Sequence, residues 1–248
     1  MAGPLDQFEV KTIIPFEVGA LDLSFTNASL FMVLSAGLTI GLVLVGMRGA
    51  RMVPDRLQAV AELLYEFVET MVHDNAGSKA KSFVPVIFAL FCFLLFGNLL
   101  GLVPYSFTFT SHIVVTLAMA LTVFIGVTAM ALMRHGTHFF SFFLPAGTPG
   151  YLAPLVVPVE VISYLSRPIS LSVRLFANML AGHIILKVFA GFTVSLGVAF
   201  GAGGYILGLI PVGANVLVLM LETLVGCLQA YVFALLTCVY IRDAIELH

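Results

Sequence analysis

Charged residues are scarce in this chain of 248 residues. Lysine, arginine, aspartate and glutamate together make up 10% of the sequence, and tryptophan is absent. Average globular proteins are about 25% charged. With 60% apolar residues and a mean hydropathy of +1.11, most of the surface must face something other than water. Several apolar runs exceed the roughly 18 residues that indicate a spanning helix. The composition excludes a soluble domain and predicts an all-α polytopic membrane protein.

Motifs for chemistry on soluble substrates are also missing. The sequence has no glycine-rich phosphate loop, no His-Glu-x-x-His and no Gly-x-Ser-x-Gly. Cys92, Cys227 and Cys238 lie in apolar runs without paired spacing, which favours small buried hydrophobic residues over disulfides or metal ligands. His135 and His138 share a loop but have no further ligands beside them. We therefore expect no metal and no cofactor.

The apolar runs and the arginines beside them predict the topology. Arg48 and Arg51 follow the first run, so the positive-inside rule places this end in the cytoplasm and the acidic N-terminal segment outside. That acidic start is unlike a signal or transit peptide. Five crossings then leave the C-terminus in the cytoplasm. We expect one membrane domain with an outer segment (residues 1–27), three spans (28–47, 83–104 and 111–134), a cytoplasmic-side amphipathic helix (54–73) and two long helices (154–196 and 205–247).

The two long helices are the unusual elements. Each covers about forty residues, which at a rise of 1.5 Å per residue is about 60 Å, or twice the ~30 Å hydrocarbon core. They cannot stand upright, so we expect a strongly tilted hairpin with an outer turn at residues 197–204. Pro168 and Pro211 are single prolines that can kink the two helices.

Polar residues recur every seven positions along the first long helix. Glu160, Arg167 and Arg174 follow this spacing, and seven residues fall only about 20° short of two full turns, so the three share one face. Small residues on that face would let another helix or a moving surface approach closely. The same side carries Ser163, Ser170, Ala177, Asn178 and Ala181.

The second long helix repeats this spacing with Asn215, Glu222 and Gln229. His183 lies half a turn round from Arg174, on the opposite side of the first long helix. Counted from the turn near Gly201, His183 and Glu222 lie 18 and 21 residues away, so a hairpin would bring them together. An imidazole beside a carboxylate can pass protons at neutral pH if water reaches the pair.

Arg174 lies about twenty residues from each end of its helix. An arginine at the centre of a bilayer costs roughly 2.5–3.5 kcal/mol even on lenient insertion scales. Two explanations remain open from the residues alone. Arg174 could form an ion pair within the chain, for which Glu222 is the candidate and His183 a competitor. The alternative, which we favour, is that its counter-ion belongs to another protein.

Two stretches carry a family resemblance: "PVEVISYLSRPISLSVRLFANMLAGH" and, near the C-terminus, "LETLVGCLQAYVFALLTCVYI". Together they closely resemble subunit a of rotary F-type ATP synthases, and the resemblance extends over essentially the whole chain. It implies a non-catalytic stator subunit in which two offset half-channels and one arginine couple proton flow to rotation. The implied partners are the c-subunit rotor ring, the peripheral-stalk b subunits and the lipid bilayer, without nucleic acid.

The resemblance also assigns individual residues. Arg174 matches the essential stator arginine, Asn178 and Gln229 match polar residues near it, and Glu160 matches a carboxylate on the cytoplasmic path. At positions 183 and 222 many bacterial members carry the same two residue types exchanged. The order found here is similar to α-proteobacterial and mitochondrial members, which implies a bacterial inner membrane or, alternatively, a mitochondrial one. Some bacterial members carry an aspartate at the position of Gly101. Because glycine has no carboxylate, the resemblance does not imply an acidic outer entrance at this position.

Two other functional classes remain to be weighed. A secondary transporter would also place charges inside the membrane, but it would show an internal repeat, and the two long segments do not repeat one another. A membrane scaffold without transport would tolerate substitution of Arg174, whereas a gate would not.

Overall fold

The computed structural model describes residues 8–18, 21–22, 24–48, 51–103, 106–136, 139 and 152–245. Within these residues, five helices are long and apolar enough to cross a membrane, which confirms the all-α polytopic fold class. The α-helices are α1 (Asn27–Gly46), α2 (Arg56–Ala76), α3 (Val84–Gly101), α4 (Ile113–His135), α5 (Ala153–Phe200), α6 (Ala202–Leu207) and α7 (Leu209–Ile245). Short 3-10 turns cover Ser78–Phe83 and Phe109–Ser111. His138, most of the loop after it and residues 246–248 lie outside the described residues.

The N-terminal segment contains short strands that the sequence analysis did not anticipate. β1 (Thr12–Ile14) pairs antiparallel with β4 (Phe25–Thr26), and β2 (Glu17–Val18) pairs antiparallel with β3 (Leu21–Asp22). Asn27 joins these strands to α1, because its Oδ1 accepts hydrogen bonds from the backbone N–H groups of Lys11 and Ala28. An asparagine at a helix start satisfies N–H groups that have no partner in the first turn.

The two long helices differ from their predicted bounds at the turn between them: α5 extends to Phe200, past the predicted end at residue 196, whereas α7 begins at Leu209, after the predicted start at residue 205. α5 contains 48 residues and α7 contains 37, or about 72 Å and about 55 Å at 1.5 Å per residue, so both are too long to stand upright in a ~30 Å core. Pro158 and Pro168 lie inside α5. Pro211 lies in the first turn of α7, where a proline removes no hydrogen bond within the helix.

The turn predicted at residues 197–204 is itself largely helical, which corrects that prediction. α5 continues to Phe200, the chain reverses at Gly201 with a φ of 54°, and α6 follows at once. Glycine adopts this left-handed conformation without the steric penalty that a Cβ imposes. Gly204 then packs against the end of α5, since a Cβ there would overlap the carbonyl of Leu196.

By its internal contacts the chain divides into two compact units. Unit 1 comprises residues 1–40, 93–112 and 175–230, and unit 2 comprises residues 41–92, 113–174 and 231–248. The predicted amphipathic helix is α2 in unit 2. It buries Ala61, Val68, Met71, Val72 and Ala76, while the carboxylate of Glu69 binds Lys81 at 3.2 Å. A helix with buried apolar residues on one side and charged residues on the other is typical of one that lies along a membrane interface instead of crossing the membrane.

A buried charge pair connects α5 to α7 within unit 2. Arg167 Nη1 lies 3.0 Å from Asp243 Oδ2, and both side chains are about three-quarters buried. The guanidinium also lies 5.3 Å from the ring centroids of Tyr164 and Tyr240, at cation–π distance. The seven-residue spacing predicts one face for Arg167 and Arg174, and the structure gives Arg167 an acid of its own chain.

A buried amide connects three elements within unit 1. Asn98 of α3 is fully buried, donates from Nδ2 to the carbonyl of Gly226 in α7 at 2.9 Å, and accepts from the hydroxyl of Thr110 at 3.0 Å. A Cβ added at Gly226 would lie 3.4 Å from the Cβ of Asn98, so α3 and α7 approach closely here. Gly226 lies between Glu222 and Gln229, so this contact fixes the part of α7 that carries them.

We predict that Asn98→Leu destabilises the protein by about 1–3 kcal/mol, the cost of leaving a buried polar group such as the Thr110 hydroxyl without its partner. The melting temperature of the purified protein in detergent measures this effect. Thr122→Val is the control, because the Thr122 hydroxyl is exposed and bonds within its own helix to the carbonyl of Ala118. Equal melting temperatures for both variants would contradict the assignment of Asn98.

Candidate functional site

The structure brings His183 of α5 and Glu222 of α7 together, as the hairpin symmetry predicts. The Nδ1 atom of His183 bonds to Oε1 of Glu222, and the two residues are 7% and 4% exposed. The neighbouring Gly182 makes this approach possible, because a Cβ at that position would lie 2.5 Å from Oε1 of Glu222. A carboxylate and an imidazole are thus held in direct contact away from bulk solvent.

The other ring nitrogen of His183 contacts a residue that the sequence analysis missed. Nε2 bonds to the hydroxyl of Thr108, which lies in the turn between α3 and α4 and is 3% exposed. The Thr108 hydroxyl also donates to the carbonyl of Gly101 at 3.2 Å. The available signal was a cluster of hydroxyl residues in a turn between two spans: Ser106, Thr108, Thr110 and Ser111.

A second polar contact joins the same two helices within unit 1. Asn178 Nδ2 of α5 donates to Oε1 of Gln229 in α7 at 3.1 Å. Gln229 is buried, whereas Asn178 is exposed. The seven-residue stripe of α7 therefore faces α5 at both positions, and α7 presents a carboxylate and an amide two turns apart.

Three buried polar atoms of this stripe have no hydrogen-bond partner among the described residues. They are Glu222 Oε2, Gln229 Nε2 and Asn215 Oδ1. Buried polar groups in proteins are nearly always satisfied, and water or a partner molecule supplies the bond where the chain does not. The stripe of α7 thus has hydrogen-bonding capacity that the described residues leave unused.

Arg174 differs from the other polar residues of α5. It is exposed, and in the part of the chain that the structure describes it makes no ion pair and no hydrogen bond. Glu222, the candidate acid for an ion pair within the chain, is bound by His183 instead. The structure therefore gives no support to an internal partner for Arg174.

The remaining predicted residues of α5 are less constrained. Glu160 is half-buried, while Ser163 and Ser170 are exposed, and their side chains make no ion pair or hydrogen bond within the described residues. Of the two loop histidines, His135 binds the carbonyl of Ala244 at 3.0 Å through Nε2, and the other is not described. Among the residues that the structure describes, no cluster of three His, Cys, Asp or Glu could hold a metal ion.

Comparison with known proteins now identifies the family. The family model described as "ATP synthase A chain" matches residues 29–242. The chain belongs to this family. Relatives named "ATP synthase subunit a" include one from Rhodospirillum rubrum, 49% identical over 248 residues and the full length of both chains. Another, from Rhizobium rhizogenes, is 54% identical over 246 residues, covering 98% of this chain and 97% of the relative.

A third relative of the same name, from Pelagibacter ubique, is 50% identical over 247 residues, covering 99% of this chain and 98% of the relative. All three relatives come from bacteria, and each is matched over its full or nearly full length. Together with five apolar helices long enough to span a bilayer, membership of the ATP synthase A chain family makes this a membrane protein of ATP synthesis and ion transport.

We predict that Gly182→Ala slows ATP-driven proton pumping by about one to two orders of magnitude, because the added methyl group displaces Glu222 from His183 and small misplacements of reacting groups cost this much. Dye quenching in inverted membrane vesicles measures pumping. Gly191→Ala on the same helix is the matched control, since a Cβ there meets nothing within 4 Å. Unimpaired pumping by Gly182→Ala would show that close contact of the pair is dispensable.

Proposed function

We propose that this protein is the proton-translocating stator subunit of a rotary F-type ATP synthase. It works in complex with the other subunits, provides two offset aqueous half-channels, and uses Arg174 to deprotonate and separate carboxylates on the c-subunit ring. The single observation that carries the proposal is the state of Arg174: it is exposed on a membrane helix and has no ion-pair partner in the described chain. ATP chemistry takes place on other subunits, so the protein is not itself an enzyme.

The ring carboxylate supplies the counter-ion that Arg174 lacks. A cation within a few ångströms favours an ionised carboxylate and lowers its pKa by about 1–3 units. A ring carboxyl group that arrives protonated therefore releases its proton beside Arg174. The fixed positive charge also repels a proton that would otherwise leak directly between the two half-channels. Small residues on the same face of α5, such as Ser170 and Ala177, leave room for the ring to pass.

The outer half-channel uses the polar contacts of unit 1. His183 with Glu222 and Asn178 with Gln229 offer titratable and hydrogen-bonding groups in sequence, and Asn215 extends the stripe of α7. The unpartnered atoms Glu222 Oε2 and Gln229 Nε2 provide attachment points for water along this path. An imidazole and a carboxylate are both groups that accept and release protons, which suits this pair to proton transfer.

The inner half-channel uses Glu160 on the other side of Arg174. Ser163 and Ser170 are supporting hydroxyl groups on that face. Each proton that crosses 100 mV releases about 2.3 kcal/mol. A single step is therefore too small to drive ATP synthesis, and several steps must accumulate as torque on the ring before one ATP is made.

The proposal extends to the membrane that holds the protein, its orientation there and its partners. We place the protein in a bacterial inner membrane, with the N-terminus outside and with α2 and the C-terminus in the cytoplasm, because arginines follow α1 and close α4 and α7. The bacterial relatives favour this over the mitochondrial inner membrane. The peripheral-stalk b subunits and lipid are the expected partners of the exposed apolar side chains of α2: Leu57, Val60, Leu63 and Phe67.

We predict that Arg174→Gln abolishes ATP-driven proton pumping but leaves ATP hydrolysis by the soluble sector measurable, since only the gate is removed. Pumping in inverted vesicles and phosphate release in the same preparation provide the two readouts. Arg242→Gln is the control for loss of one positive charge, because Arg242 lies near the end of α7 and its side chain is half-exposed. Normal pumping by Arg174→Gln would refute the gate and favour a scaffold.

We predict that the double exchange His183→Glu with Glu222→His restores more pumping than either single change supports. Each single change leaves two like groups in the buried contact, whereas the double exchange returns one carboxylate and one imidazole. Initial pumping rates of the three variants, normalised to the amount of assembled complex, measure the effect. No rescue by the double exchange would mean that the two residues do not act on one proton path.

A further inference from the structure

The Thr108 hydroxyl occupies a position that the proposed proton path does not yet explain. It lies between the Nε2 atom of His183 and the carbonyl of Gly101, both within hydrogen-bond distance, and Thr108 is 3% exposed. All three residues belong to unit 1. A side chain from the α3–α4 turn thus reaches the imidazole whose other nitrogen bonds to Glu222.

A hydroxyl group suits a histidine that changes its protonation state. The Nε2 atom is a donor when it carries a proton and an acceptor when it does not, and a hydroxyl can match either state because it has one O–H and two lone pairs. When Nε2 carries a proton, Thr108 Oγ1 accepts from it and donates its own hydrogen to Gly101. When Nε2 is bare, the hydroxyl rotates and donates to Nε2.

The carbonyl of Gly101 has a second donor within reach when Thr108 turns away. The hydroxyl of Ser106 lies 2.9 Å from this carbonyl and 2.6 Å from that of Val103, so its one hydrogen serves either of the two acceptors. The Gly101 carbonyl thus has a hydroxyl donor at hand in either orientation of Thr108. An unsatisfied buried donor or acceptor would otherwise penalise one of the two protonation states of His183.

We propose that Thr108 is a positioning residue for proton transfer: its hydroxyl holds Nε2 of His183 in both protonation states and thereby keeps Nδ1 on Oε1 of Glu222. The inference rests on the proposed function, in which His183 and Glu222 carry protons. The ring of Phe8, whose centroid lies 6.3 Å from that of the imidazole at an interplanar angle of 19°, packs beside His183 but cannot hydrogen-bond to Nε2.

Gly101 is part of the same arrangement. A Cβ at this position would lie 2.5 Å from Oγ1 of Thr108 and 2.8 Å from its Cγ2, so any larger residue must push Thr108 aside. The glycine that departs from the aspartate of some bacterial members is thus the residue that lets Thr108 reach both the Gly101 carbonyl and His183. Gly101→Ala offers a second way to disturb Thr108 without removing its hydroxyl.

The test uses the complete ATP synthase in proteoliposomes. We expect Thr108→Val, which keeps the shape and removes the hydroxyl, to slow proton-driven ATP synthesis about fivefold, the effect of losing one net hydrogen bond. We expect Thr108→Ser, which keeps the hydroxyl, to stay within about twofold of the unmodified enzyme. Equal rates for all three proteins, or equal losses in Val and Ser, would overturn the proposal.

A spectroscopic readout separates hydrogen bonding from simple packing. In complexes labelled with ¹⁵N-histidine, His183→Gln identifies the two ring signals of His183. We expect Thr108→Val to shift the Nε2 signal away from its hydrogen-bonded value and Thr108→Ser to preserve it. Thr110→Val, which removes a hydroxyl two residues away that bonds to Asn98, should leave both signals in place. An unmoved Nε2 signal in Thr108→Val would contradict the inference.

The outcome also distinguishes this inference from the proposed function. If Glu222→Gln translocates protons normally, the proton path itself fails. If Glu222→Gln is blocked while Thr108→Val matches the unmodified enzyme in rate and spectrum, only the role of Thr108 fails. Should Thr108→Val not assemble, Gly101→Ala decides: a slowed rate with a shifted Nε2 signal supports the inference, and an unchanged rate and spectrum refute it.

Discussion

An ionised side chain within a membrane needs a partner, and this requirement governs the polar residues of α5 and α7. The solvation that water provides is lost in hydrocarbon, so a charge is retained only where an opposite charge or hydrogen bonds replace it. Asp243 is bound by Arg167, and Glu222 is bound by His183. Asp243 and Glu222 are thus occupied, Glu160 forms no ion pair either, and Arg174 remains exposed without an ion pair in the described chain. Within a family that assembles into ATP synthases, a partner subunit is the natural source of the missing charge.

The spacing of residues predicts much of the site because helix geometry is regular. Positions seven apart return to nearly the same face, so the stripe of Asn215, Glu222 and Gln229 could be recognised before any contact was known. Counting from the turn near Gly201 then paired His183 with Glu222. The structure adds the contact of Asn178 with Gln229, which uses the same face of α7. These contacts depend only on period and chain reversal, and both can be read from a sequence.

Contacts between a turn and a helix could not be predicted in this way. Thr108 and His183 are 75 positions apart, and nothing in the turn indicates which of its hydroxyl groups points to α5. The contact of Arg167 with Asp243 joins two helices, but these residues lie 34 and 42 positions from Gly201, so counting from the turn does not pair them. The short strands before α1 were missed because two-residue pairings leave no alternating pattern to recognise. The extension of α5 into the predicted turn was missed because a glycine such as Gly197 signals a turn yet is tolerated inside a helix.

In the proposed function, the length of α5 lets one helix serve both half-channels without a direct path between them. Glu160 and His183 are 23 residues apart, which is about 35 Å along the helix and slightly more than the ~30 Å core. Over the nine residues from Arg174 to His183 the helix turns through about 900°, two and a half turns, so these two side chains point in opposite directions. In the proposed path, a proton released near Glu160 and one held at His183 lie far apart along α5. Transfer between them then requires a carrier that moves past Arg174, the role we propose for the rotating ring.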